Sequence, residues 1–307
     1  MYLQNLITKS TRTYLEDIKI LKEKFEEAEF IVVGAGAGLS TAAGFIYDGD
    51  VFKKYMFDFI KEYGITDFYT GGFYTYPDDE TMWAFWSRNI YVNRYMTGAK
   101  ELYIKLMDLI KNKNYFVITT NVDHQFQKAG IDKKRFFYTQ GDYGLFQSVD
   151  KNNNKTYDNE DIIYEMLSAQ GFTKNENGIY DIIDKDKIKK RIPTELIPIC
   201  PDDKKFMTLN LRKDDSFVED EGWRNASYRY NEFLENSKNK NVLFLELGVG
   251  MNTPGIIKYP FWHMVSVNKN ATYACINYKE AFTPKELEEK SIILNEDINK
   301  VINDINN

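Results

Sequence analysis

At 307 residues the chain exceeds one average domain and suits an α/β domain carrying an insertion. Apolar residues make up 43%, enough for a sizeable core, while a net charge of −6 argues against the concentrated basic surface that nucleic-acid binding needs. Two cysteines, Cys200 and Cys275, cannot build a disulfide framework. The opening Met1-Tyr2-Leu3-Gln4-Asn5 has no basic or apolar leader pattern, and no run reaches membrane-spanning length. The expectation is a cytoplasmic protein that binds neither nucleic acid nor membrane.

Residues 12–29 carry Tyr14, Ile18, Leu21 and Phe25 at helical spacing, an amphipathic helix covering a sheet. Phe30-Ile31-Val32-Val33 follows without alternation, as a parallel strand covered on both faces does. Next comes Gly34-Ala35-Gly36-Ala37-Gly38-Leu39-Ser40-Thr41-Ala42-Ala43-Gly44, glycines at every second position running into small residues that can begin a helix. Glycines let backbone N–H groups approach a pyrophosphate, and a helix N-terminus adds its positive dipole end. No Lys follows, so the stretch is not a P-loop. A tight turn is its bland alternative.

Residues 51–60 read as a helix, and 68–77 as an aromatic loop broken by Gly71-Gly72. Residues 79–96 read as a helix rich in Trp83, Phe85, Trp86 and Tyr91; such density reads as core, with an apolar acceptor channel as the alternative. A plain helix over 98–112 leads into the strand 115–119, which ends in Thr120-Asn121-Val122-Asp123. His124 then reads as helix surface, and Gly130 stops that helix. The short strand 135–138 ends in Thr139-Gln140-Gly141-Asp142. Strand ends thus present polar residues in turn, at the edge where open α/β sheets bind ligands.

From 143 to 223 the pattern changes. A polar loop over 150–154 precedes a helix over 161–169, a charged run over 174–191 and an extended, proline-broken segment over 192–201. Thr208 to Arg212 is a strand candidate. Doubly wound order then resumes with a helix over 224–238, the strand 242–247 and the turn Gly248-Val249-Gly250-Met251-Asn252. The strand 271–277 ends in Asn277, and Asn295-Glu296-Asp297 caps a last helix, with Asp297 a candidate adenine contact. The expected domains are a Rossmann-like nucleotide-binding domain over 1–142 and 224–307, and an inserted small domain over 143–223.

These strand ends together resemble the sirtuin family. Its Gly-Ala-Gly-x-Ser-x-x-x-Gly matches Gly36-Ala37-Gly38-Leu39-Ser40-Thr41-Ala42-Ala43-Gly44, and its Asn-Ile-Asp with a trailing Ala-Gly matches Asn121-Val122-Asp123 and Ala129-Gly130. Its third strand-end turn matches Thr139-Gln140-Gly141, its adenosine-side turn Gly248-Val249-Gly250, and its ribose Asn matches Asn277. The resemblance covers most of residues 28–306 and implies NAD as co-substrate. It implies NAD contacts at Gly36, Ala37, Gly38, Ser40, Thr41, Gly248, Val249, Gly250, Asn252, Asn277 and Asp297, with Asn121, Asp123 and Gln140 catalytic.

The departures are informative. Ordinary sirtuin deacylases carry a His where Gln140 stands, and the two histidines, His124 and His263, fall elsewhere. A carboxamide hydrogen-bonds a ribose but cannot take its proton near neutral pH. The usual structural zinc needs four cysteines, and the small domain holds Cys200 alone, so no zinc is expected. Asp48 is the candidate to replace the acidic residue missing at Ile46-Tyr47.

The blocks 69–74, 83–90 and 138–144, with Asn210-Leu211-Arg212-Lys213-Asp214-Asp215 and Glu221-Gly222-Trp223, resemble the macrodomain-linked, class M sirtuins. That resemblance implies mono-ADP-ribosylation of a lipoyl-carrier protein like the glycine-cleavage H protein, reversed by a macrodomain hydrolase. Arg212 would steer an acidic acceptor or pair with Asp214 or Asp215. The rival readings are an NAD-dependent deacylase or NAD hydrolase, and a non-catalytic NAD sensor.

Overall fold

Six strands build the sheet that positions the site: β1 (Phe30–Ala35), β2 (Tyr115–Thr119), β3 (Phe136–Tyr138), β4 (Val242–Leu247), β5 (Ala271–Ile276) and β6 (Ser291–Leu294). Their order is β6-β5-β4-β1-β2-β3, with every neighbouring pair parallel. This is the doubly wound Rossmann-like order, and its switch point lies between β1 and β4. The computed structural model describes residues 7–46, 48–251 and 254–306, so Tyr47 and Asn252 lie outside the described residues.

The sheet is buried on both faces, which explains why its strands read as continuous apolar runs. Ile31, Val33 and Ala35 of β1 pack with Leu243, Leu245 and Leu247 of β4 on one face. The helices Tyr14–Glu27, Glu101–Ile110 and Ile298–Asn306 cover that side through Leu21, Leu106 and Val301. Val32, Val242 and Phe244 face the opposite core, closed by the helices Glu221–Ser237 and Lys258–Val267 through Tyr230 and Phe261. The first helix starts where Thr13 and Glu16 form a reciprocal capping box.

One charge sits inside this apolar sheet. Glu246 of β4 is fully buried, and its Oε1 accepts a hydrogen bond from the equally buried Lys258 Nζ at 2.5 Å. Tyr273 on β5 donates to Oε2 at 2.7 Å. Leaving either ion unpaired there costs about 3–5 kcal/mol, so the pair closes the segment between β4 and the following helix. Burial and the Glu246 carboxylate push the neighbouring Cys275 thiol up to about 12.

The chain divides into two compact units: Met1–Gly44, Ala99–Gln140 and Gly222–Asn307 form the first, Phe45–Gly98 and Gly141–Glu221 the second. Residues 45–98, assigned from sequence to the nucleotide-binding domain, therefore belong with the second unit. In that unit Asp79–Ile90 is a helix whose Arg88 is fully buried. Arg88 grips the Asp58 carboxylate at 2.6 and 3.0 Å and donates to Gln170 Oε1 at 2.8 Å. The rings of Phe59 and Phe172 lie 4.8 and 5.1 Å from its guanidinium. An antiparallel sheet of Thr156–Asp158, Gly141–Ser148 and Met207–Leu211 also belongs to this unit.

Several local expectations shift. The helix expected over 51–60 breaks at Met56 into Asp50–Tyr55 and Phe57–Tyr63. The aromatic loop opens instead as a short helix, Phe68–Gly72, because Asp67 Oδ1 accepts from Thr70 N at 2.8 Å. Residues 79–96 continue past Ile90 as a π-turn, Tyr91–Tyr95. The charged run hides a small hairpin, Thr173–Lys174 with Tyr180–Asp181. Trp83, Phe85 and Tyr91 are core, while Tyr69 and Phe73 are exposed.

Candidate functional site

Each strand of the first unit that borders the switch point ends in residues the sequence singled out. The turn after β1 is held against the turn after β4 by backbone alone: Gly38 N donates to Gly248 O at 2.9 Å, and Gly36 N to Leu247 O at 3.0 Å. A Cβ on Gly36 would fall 2.7 Å from Gly248 O, and one on Gly38 would fall 2.7 Å from Gly248 Cα. The alternate glycines are thus required first for the approach of two turns. Several of the amides around Gly36 to Ser40 therefore make their bonds within the two turns. The N–H groups of Gly36, Gly38 and Leu39 are spent internally, whereas that of Ala37 has no partner among the described residues.

Gly248 is the most constrained of these positions. Its φ is +64°, and a Cβ would lie 2.5 Å from the Gly38 carbonyl carbon. Strain of about 1–3 kcal/mol from the left-handed backbone adds to about 1–3 kcal/mol of overpacking. Gly248→Ala is therefore expected to lower stability by about 2–6 kcal/mol and to weaken NAD binding, read by thermal melts with and without the dinucleotide. A wild-type melting temperature would contradict this account of the turn.

At the end of β2, Thr119 sets the geometry: its Oγ1 donates to Ala35 O at 2.9 Å and accepts from Asn121 N at 3.0 Å. The Asn121 side chain turns toward β1. Its Nδ2 lies 3.0 Å from Gly36 O, 3.0 Å from Ser40 Oγ and 3.2 Å from the Tyr103 hydroxyl. Ser40 is buried and donates to Asp123 Oδ2 at 2.5 Å, while Asp123 Oδ1 accepts from Gln125 N at 3.0 Å. So Ser40, Asn121 and Asp123, far apart in sequence, form one polar cluster. Tyr103 completes it, and sequence reasoning passed over it as part of a plain helix. A phenol on the buried face of an amphipathic helix was the available signal, since buried tyrosine hydroxyls usually find a partner.

Gln140 follows β3 and is half-buried. Its Nε2 lies 3.4 Å from Thr139 Oγ1, a loose contact. The backbone beneath is firmly set: Thr139 N donates to Thr119 O at 2.9 Å, and Trp223 Nε1 donates to Thr139 O at 3.2 Å. Trp223 is the end of the Glu-Gly-Trp block, so that block braces the Gln140 turn.

On the β4–β5 side, Asn277 is buried and its Nδ2 donates to Val249 O at 3.1 Å, leaving the side-chain oxygen as the other polar end. Val249 itself is core and offers backbone only. Gly250 has open surroundings, with Glu280 Oε2 3.6 Å from where a Cβ would sit. Thr41 returns its hydroxyl to Ala37 O at 3.1 Å. Asp297 is exposed, and its Oδ1 caps the last helix by accepting from Lys300 N at 3.0 Å. His124 adopts a left-handed conformation, φ +64°, at the start of a short helix.

Arg212 stands apart, in the second unit, where it pairs with Glu219 rather than Asp214 or Asp215 and lies 4.5 Å from the Phe217 ring. Asp214 instead accepts from Ser216 N at 2.8 Å. Near Cys200, Asn153 Nδ2 bridges the sulfur at 3.3 Å and Asp203 at 2.9 Å. Among the described residues no group of three or more His, Cys, Asp or Glu side chains could hold a metal, and no helix could cross a membrane.

No family model matches the chain. Among characterised proteins it is 36% identical over 285 residues to a protein ADP-ribosyltransferase of Staphylococcus aureus (strain Mu50 / ATCC 700699), covering 92% of this chain and 85% of that one. It is 28% identical over 256 residues to a probable bifunctional ADP-ribose hydrolase/ADP-ribosyltransferase of Fusarium oxysporum f. sp. cubense, covering 79% of this chain and 39% of that protein. Solved structures share the fold at low identity. Sir2Tm bound to a propionylated peptide matches at 18% identity and TM-score 0.57, over 93% of this chain and 95% of that one. A Sir2–p53 peptide–NAD+ complex matches at 17% and 0.57, over 93% and 95%.

Proposed function

This chain belongs to the sirtuin-type protein ADP-ribosyltransferases, which use NAD as co-substrate, and on that premise we propose that it mono-ADP-ribosylates a lipoyl-carrier protein like the glycine-cleavage H protein. The observation that carries the proposal is the cluster Ser40–Asn121–Asp123, with a carboxamide, Gln140, at the end of the next strand, the position where a sirtuin deacylase carries a base. The class M blocks, with Trp223 bracing the Gln140 turn, favour the carrier as acceptor. The proposal extends to a macrodomain hydrolase as the partner that reverses the modification, in line with a Fusarium relative named for both ADP-ribose hydrolase and ADP-ribosyltransferase activities.

The residues fit the dinucleotide. The free N–H of Ala37 would meet the pyrophosphate, with Gly36, Gly38 and Gly248 fixing the cradle and Ser40 and Thr41 behind it. Asn277 and the Val249–Gly250 backbone would take the adenosine ribose, and Asp297 the adenine edge. Both Asp123 oxygens already accept bonds, and a carboxylate has lone pairs left for the nicotinamide amide. Asn121 and Gln140 would orient the nicotinamide ribose and the incoming nucleophile. The N-glycosidic bond breaks, its electron pair leaves with nicotinamide, and the anomeric carbon bonds to the acceptor. The acceptor's proton goes to water, since Gln140 cannot take it. Positioning and electrostatics supply the rate.

The test is incubation with labelled NAD, with and without a lipoylated carrier. Label on the carrier is expected. Free ADP-ribose alone would favour the NAD hydrolase, deacylation of an acyl-lysine peptide the deacylase, and unchanged NAD the sensor.

A further inference from the structure

We infer that the Tyr103 hydroxyl is a positioning group that, together with Ser40 and the Gly36 carbonyl, sets which end of the Asn121 carboxamide faces the co-substrate. The inference rests on the catalytic reading of Asn121 proposed above. Its basis is the direction of a hydrogen-bond chain. The Asp123 carboxylate only accepts, so the Ser40 hydroxyl, 2.5 Å from Oδ2, spends its proton there. Ser40 Oγ then accepts from its other neighbours, and the Tyr103 hydroxyl at 2.8 Å becomes the donor. With its proton directed to Ser40, the Tyr103 oxygen presents lone pairs to Asn121, 3.2 Å away.

Asn121 therefore faces three acceptors: Tyr103 Oη, Ser40 Oγ and the Gly36 carbonyl. An amide oxygen placed there would oppose lone pairs, so the NH2 end is locked inward and Oδ1 is turned toward the ribose. Tyr103 is fully buried and its ring stands edge-on to Phe126 at 4.9 Å, so the hydroxyl cannot swing away. The relay gives Asn121 a fixed acceptor at the co-substrate.

Tyr103→Phe removes the oxygen and keeps the ring. The expected result is a loss of about tenfold in kcat for nicotinamide release, KM for NAD within about twofold, and an unchanged fold. The double variant Tyr103→Phe/Asn121→Ala should be no slower than Asn121→Ala alone, because Tyr103 acts through Asn121. A second readout needs no turnover: in 15N spectra, the Asn121 side-chain amide should shift and exchange faster with water in Tyr103→Phe. Wild-type kcat, multiplying losses in the double variant, or failure of Tyr103→Phe to fold would each overturn the inference. If the wild type itself releases no nicotinamide, the proposed function fails, and an Asn121 amide signal indifferent to Tyr103→Phe would still sink the positioning role separately.

Discussion

Asn121→Ala is expected to reduce nicotinamide release by about 10²–10³-fold, the cost of losing one preorganised polar group at a reacting centre. The chain should still fold. Asn121 is half-buried, and its backbone N–H keeps its bond to Thr119 Oγ1 at 3.0 Å whatever side chain follows. The lost side-chain bond to Gly36 O removes about 1 kcal/mol, small against the stability of a domain. Ser40 and Tyr103 remain bonded to each other at 2.8 Å, so the cluster does not collapse behind the missing amide. Dinucleotide affinity should change little, because the cradle around Gly36 and Gly248 is built from backbone. Single-turnover release by the variant and the wild type, with calorimetric NAD binding alongside, separates the two effects. Turnover within roughly tenfold of wild type, about 1.4 kcal/mol of barrier, would mean another group activates the leaving nicotinamide.

The doubly wound sheet was legible because its strands bury both faces. Phe30 to Val33 and Val242 to Leu247 carry no alternation, and each run is followed by glycines and then a helix. The strand-end polar residues were legible for the same reason, since side chains just past a buried run have left the core. What sequence could not give was direction. Tyr103 lies 18 positions before Asn121, and its reach into the Ser40 cluster depends on how its helix packs over the sheet. The glycines were legible as a turn, but the close approach that fixes them was not. Gly36 and Gly38 are fixed by a turn more than 200 residues away, a constraint that no local pattern encodes. Likewise the segment 45–98 follows the nucleotide turn in the chain, yet its contacts are made with residues 141–221, as the burial of Arg88 against Gln170 shows.

Gln140→His should give a protein that gains one activity as it loses another. The imidazole would stand on a backbone already set by Thr119 O and Trp223, so the exchange need not disturb the turn. The present side chain is held loosely, at 3.4 Å from Thr139 Oγ1, and little is forfeited by replacing it. A base with an ordinary pKa of about 6.5 would then sit where a ribose hydroxyl must be deprotonated for deacylation. Neutral imidazole is the active form, so trace deacylation of an acyl-lysine peptide should rise as pH passes upward through about 6.5 and level off above it. Transfer to the proposed carrier should fall, since a ring nitrogen and a carboxamide differ in reach and in the number of hydrogen bonds they offer. Side-by-side assays of both proteins on carrier and acyl peptide, across pH 5.5 to 8.5 (roughly two units above the imidazole value), decide the matter. If both profiles are unchanged, Gln140 is an incidental replacement, and the preference for transfer over deacylation must be set elsewhere in the site.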